Sequence, residues 1–158
     1  MIRPLALACV LTAAAHPLAA RTLCGAGEKT IFACSAGAKI VSVCAMAGDG
    51  ALRYRFGPAG KPEIAYPAAG SGREVARSGL WAFSGGGGAW LAFHNPPFRY
   101  VVYTAIGRGW GEKAGVAVER DGRPLTNLPC RGRPVSELGP DFFASAGIAE
   151  DTTPFDLP

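Results

Sequence analysis

Three cysteines recur at an even interval, Cys24, Cys34 and Cys44, and a fourth, Cys130, lies far down the chain. No other feature limits the fold as strongly. Zinc sites draw on close cysteine pairs or on histidine co-ligands. Here the gaps are nine, nine and eighty-five residues, and a single histidine, His94, follows residue 20. An even number of widely spaced cysteines reads instead as two disulfides. The N-terminal segment is therefore expected to be sewn to the C-terminal part of the fold.

The N-terminus agrees with an oxidising compartment. Met1-Ile2-Arg3 is a short basic start, Pro4 to Leu18 is mostly apolar, and the small residues Ala19-Ala20 precede Arg21, which together read as a secretory signal over residues 1–20. Cleavage after Ala20 removes Cys9 and leaves four cysteines. A lipoprotein signal ending at Cys9 fails on length, with about five apolar residues after Arg3 against the ~7–15 of such segments. No later run reaches the ~18 apolar residues of a membrane helix, so no membrane insertion is expected. Taking 20 residues from 158 leaves 138, enough for a single domain that buries roughly two-thirds of its unfolded surface. Net charge falls from +4 to +3 with Arg3, far from the dense basic stripe of a nucleic-acid binder. A periplasmic or secreted monomer is expected, with no nucleic-acid partner and no cofactor.

Connectivity follows from strand geometry. Ile31 to Cys34 and Ile40 to Cys44 form a hairpin pattern turning at Ala36-Gly37-Ala38-Lys39, where Gly37 supplies the positive φ of a tight turn. With Gly37-Ala38 as the loop, Cys34 lies opposite Val41 and Cys44 opposite Ile31. The two sulfurs then fall on opposite faces, too far apart to bond. The favoured pairing is Cys24–Cys44 with Cys34–Cys130. The second bridge closes a loop of about a hundred residues, which in the chain-entropy model contributes ~4–5 kcal/mol less strain.

From Ala51 the pattern is almost purely β. Leu52, Tyr54 and Phe56 alternate with Arg53 and Arg55, giving one apolar face and one charged, wet face. Glu63 to Tyr66, Leu80 to Phe83, Ala89 to Phe93 and Phe98 to Ile106 read as further strands, separated by glycine- and proline-rich turns. Gly115 to Arg120 and Arg123 to Leu128 form a hairpin on Asp121-Gly122, placing Val118 opposite Leu125 on the inner face. Pro140 to Gly147 reads as one turn of helix anchored by Phe142 and Phe143, and residues 148–158, acidic and proline-containing, as a flexible tail. Roughly eight short strands and no long amphipathic helix predict an all-β fold, a single antiparallel β-sandwich or small barrel spanning residues 21–147.

Few residues suggest chemistry. His94 has neither a Gly-x-Ser-x-Gly elbow nor a cysteine nucleophile to work with. Glu63, Glu74, Glu112, Glu119 and Asp121 show no spacing that marks a carboxylate pair. The glycines after Ser84 lack the Lys-Ser/Thr of a phosphate loop and lead into a strand, so they read as a hairpin loop. With those four glycines as the loop, Phe83 faces Trp90 and Trp81 faces Ala92. One face then carries Trp81, Phe83, Trp90 and His94, and the other Leu80, Ala82, Leu91 and Phe93. The aromatic face is either a stacking platform for sugars or a covered surface. Gly107-Arg108-Gly109-Trp110-Gly111-Glu112-Lys113 places large side chains in a glycine-rich loop, either a binding loop, since Trp and Arg dominate hot spots, or one whose Trp110 folds back to cap the barrel mouth. The candidate ligand-binding residues are Arg108, Trp110, Lys113, Trp81 and Trp90; no catalytic or metal-binding residue is expected.

On Cys24, Glu28, Ile31-Phe32, Cys34, Lys39, Val41-Ser42-Val43-Cys44, Leu52-Arg53-Tyr54-Arg55-Phe56-Gly57 and Tyr66-Pro67, the N-terminal half resembles a group of small secreted proteobacterial β-proteins. The resemblance implies a periplasmic or extracellular β-domain and carries no activity across. In layout alone the chain is similar to periplasmic lysozyme inhibitors. Their Ser-Gly-x-x-Tyr signature is replaced by Ser78-Gly79-Leu80-Trp81, and a charge of +3 opposes docking to a basic lysozyme. The functions expected, in order, are a non-catalytic module binding an envelope glycan or protein, an enzyme inhibitor using the Trp110 loop as a plug, and a hydrolase built on clustered carboxylates.

Overall fold

A computed structural model describes residues 21–158; residues 1–20, read above as a secretory signal, and Cys9 within them lie outside the described residues. Ten strands form two five-stranded antiparallel sheets. The first contains β1 (Glu28–Ala36), β2 (Lys39–Met46), β3 (Leu52–Gly57), β4 (Ile64–Tyr66) and β10 (Arg131–Ser136), in the order β10-β1-β2-β3-β4. The second is a meander of β5 (Ala76–Phe83), β6 (Gly86–Asn95), β7 (Phe98–Gly107), β8 (Gly111–Arg120) and β9 (Arg123–Pro129). A short helix, α1 (Pro140–Ser145), follows β10. The fold is an all-β sandwich.

Side-chain alternation builds the core. Val41, Val43, Leu52 and Tyr54 of the first sheet pack against Leu91, Phe93, Tyr100, Val102 and Val116 of the second, joined by Phe143 and Ile148. Tyr54 stacks on Tyr100 at 4.9 Å, and Phe98 continues the column. Where β3 and β4 face β7, β8 and β9, the sheets part around an apolar cavity of about 390 Å³.

Both disulfides pair as the strand geometry requires, Cys24–Cys44 and Cys34–Cys130. The β1–β2 turn is Gly37-Ala38, with Gly37 at φ 70° and Cys34 opposite Val41. A bulge at Ile31 puts Thr30, not Ile31, opposite Cys44. Cys44 nevertheless lies an odd number of residues from Val41, so its sulfur faces away from that of Cys34. A bulge also corrects the β8–β9 hairpin. Asp121 and Gly122 both have positive φ, as expected of this turn, yet Val118 faces Thr126, and Leu125 is turned out to 59% exposure.

Residues after Cys130 are more ordered than their sequence suggests. Arg131–Ser136 pairs with β1 as an edge strand although it contains Gly132 and Pro134. Edge strands tolerate proline because one row of their amides is unpaired. Residues 148–158, expected as a flexible tail, run across the outer face of the second sheet and bury Phe155 against it.

The outer face of the first sheet is also partly roofed. Leu23 donates its N–H to Ser42 Oγ at 2.9 Å, and Arg55 reaches over Cys44 to the Leu23 carbonyl at 3.0 Å while pairing with Glu28. The face expected to be wet is therefore half-buried at Arg55, beside the buried Ser42 and Cys44. The Arg55 guanidinium, opposed by burial and assisted by the Gly25 N–H, holds the Glu28 carboxyl below its usual range.

Candidate functional site: the aromatic outer face of the second sheet

The β5–β6 register decides what this face presents. Its turn is Ser84-Gly85 alone, and Gly86, Gly87 and Gly88 belong to β6, opposite Phe83, Ala82 and Trp81. Trp81 therefore faces Gly88 rather than Ala92, and Trp90 faces Gly79 rather than Phe83. The shift is an even number of residues, so the two faces keep the side chains expected of them.

Glycine is there for space as much as for turning. A Cβ on Gly79 would lie 2.2 Å from the Trp90 ring, and one on Gly88 would meet Trp81 and the Thr104 carbonyl at 2.7 Å. One on Gly107 would lie 2.2 Å from Trp110. Each indole lies against a glycine of a neighbouring strand or turn.

Trp110, Phe83, Trp81, Phe155 and Trp90 then form a continuous aromatic row, with centroid separations of 5.8, 6.2, 5.6 and 5.8 Å. The β7–β8 turn is short, because Gly107 already pairs with Gly111, and Trp110 folds back edge-on to Phe83. Lys113 holds its ammonium 5.6 Å from the Trp110 ring and donates to the Pro158 carbonyl at 2.8 Å. Arg108, exposed, leans on Gly85 at the adjacent turn, and its N–H donates to the Gly85 carbonyl at 3.1 Å. Trp110, Lys113, Trp81 and Trp90 thus lie along this aromatic row, with Arg108 at its adjacent turn, but they differ in access. Trp110 is 41% exposed and Trp81 half-buried, whereas Trp90, at 4%, lies beneath the tail.

The tail is held by a network that the spacing of its residues barely foreshadows. Ser78 donates its N–H to the Ala149 carbonyl and accepts at its own carbonyl from the Asp151 N–H. Asp151 bonds His94 Nε2 at 2.8 Å and accepts from Arg99 at 3.0 Å; Arg99 also donates to Glu119 at 2.7 Å and to the Thr153 carbonyl at 3.1 Å. The Arg99 guanidinium lies 5.1 Å from the Trp90 ring centre, an energetically favourable arrangement. Trp81 Nε1 donates to the Phe155 carbonyl at 2.8 Å. Burial raises the Asp151 pKa, but the Thr153 N–H, His94 and Arg99 outweigh it and hold the carboxyl below its ordinary range.

Two clusters bear on chemistry. Glu119 and Asp151 converge, but both accept from Arg99 and serve the tail clamp. The ligand atoms of Cys24, Glu28 and Cys44 lie within 4.8 Å of one another, yet the sulfurs are bonded to each other and the carboxylate is paired with Arg55. No helix among the described residues is long and apolar enough to cross a membrane. Neither family models nor curated proteins nor solved structures give a match to this chain.

Proposed function

We propose that this is a non-catalytic binding module of the cell envelope, periplasmic or secreted and acting as a monomer, whose partner is an envelope glycan or protein. The observation that carries the reading is Trp110, 41% exposed yet fixed against Gly107 and Phe83. A large indole kept partly in water and held rigid loses little entropy on binding, and Trp and Arg side chains in such settings dominate hot spots. Arg108 and Lys113 flank it, which favours an acidic partner. A docking corner is favoured over an inhibitory plug because the turn is short and folds back on its own sheet. The convergent carboxylates are engaged by Arg99, which favours binding over hydrolysis.

The test compares the exported protein with an Arg108→Ala/Trp110→Ala variant, in co-sedimentation with purified cell-wall glycan and in capture from envelope extract. The expected result is loss of at least ~30-fold in affinity for one class of partner, as for a hot-spot pair. Equal recovery by both proteins would show that the corner is not the site.

A further inference from the structure

The cavity between the sheets is separate from the aromatic corner and has a different chemistry. Tyr54, Phe56, Phe98, Tyr100, Val116 and Leu128 supply most of its wall. Its volume of about 390 Å³ falls within the range of small-ligand pockets. The Tyr54–Tyr100–Phe98 column stacks along that wall, with separations of 4.9 and 6.2 Å. Tyr54 is 1% exposed, and burial, with Tyr100 beside it, pushes its phenol far above the usual range, so the wall stays uncharged.

Two cations stand over aromatic rings of the wall, Arg120 over Phe98 and Lys39 over Phe56. Arg120 is the cross-strand partner of Phe98, shares the inward face of β8 with Val116 and Val118, and lies 5.7 Å from the Phe98 ring centre. Its nearest carboxylate, Asp121, is 3.7 Å away, and both side chains are exposed, a pairing worth little in water. Lys39 sits 5.3 Å from the Phe56 ring but is engaged by Glu63 at 2.6 Å. Arg120 is therefore the rim cation with the weaker internal claim.

We propose that this cavity binds a single linear acyl chain ending in a carboxylate, the chain lying along the Tyr54, Tyr100 and Val116 wall and the carboxylate meeting Arg120 at the rim. A hydrocarbon guest matches the lining, and an anionic head matches the one loosely paired cation beside it.

Titration calorimetry of residues 21–158 with octanoate, decanoate and dodecanoate, each below its micelle concentration, tests this. One site is expected, with affinity rising roughly fourfold per added methylene until the cavity is full. Val118→Phe, at a half-buried lining position, should weaken decanoate at least tenfold. Thr126→Trp, at an exposed lining position, gives the same reading should the first variant not fold. Arg120→Glu should weaken decanoate but leave decanol unchanged, and Trp110→Ala should leave both unchanged. Absence of saturable binding, affinity independent of chain length, or loss of binding in Trp110→Ala would each overturn the proposal.

Discussion

Single residues set this molecule's most exacting constraints, and several of those residues are glycines. Gly79 lies under Trp90 with no room for a Cβ, while Trp90 is held from above by Arg99 and Phe155. Gly79→Ala should therefore lose about 2 kcal/mol, within the range for overpacking a filled site. Gly109 provides the contrast. It has φ +90°, and nothing lies within 4 Å of where a methyl would sit, so Gly109→Ala carries only the backbone cost of about 1 kcal/mol. Urea unfolding midpoints of the two variants check this. Equal, small losses would mean that Trp90 does not rest on Gly79.

Among elements, the C-terminal segment is the one whose role changes most between sequence and structure. Asp151 anchors it through His94, Arg99 and Thr153, with its carboxyl pKa depressed from the ordinary 3.8. A depressed carboxyl contributes stability above its unfolded pKa and loses it as pH falls through the folded value. Tryptophan emission should therefore hold steady from pH 7 to about pH 5 and move to the red only below the ordinary carboxylate range. In Asp151→Asn it should already be red-shifted at pH 7, with a smaller acid step. An acid step of equal size in both proteins would contradict this role for Asp151. Alternation in Leu52–Gly57, the Asp121-Gly122 turn and the odd offset between Cys44 and Val41 made most of the sandwich and both bridges legible in advance. They are local patterns with a fixed period. The β5–β6 register was not legible, because Gly86 to Gly88 read as loop when they are strand residues kept small for Trp81 and for the β7 backbone. Nor was β10, whose Gly132 and Pro134 hide an edge strand held by β1 and the Cys34–Cys130 bridge. Trp81 and Trp90 fell on one face as expected of alternating strands. The burial of Trp90 depends on Phe155, 65 residues away, and no local pattern announces such a contact.

Over the whole molecule, the segments before β1 and after α1 perform matching tasks. Residues 22–28 cover part of the outer face of the first sheet, tied there by Cys24–Cys44 and Arg55, and residues 148–158 cover the aromatic face of the second. The bridges close sequence separations of 20 and 96 residues, worth about 3 and 4–5 kcal/mol in the chain-entropy model. What remains open on the aromatic side is the corner at Trp110. Acrylamide quenching of three single-tryptophan variants, each retaining Trp81, Trp90 or Trp110 with phenylalanine at the other two positions, tests that division most directly. The predicted order of accessibility is Trp110, then Trp81, then Trp90, with Trp90 becoming quenchable once residues 149–158 are deleted. Trp90 quenched as readily as Trp110 in the intact chain would contradict it.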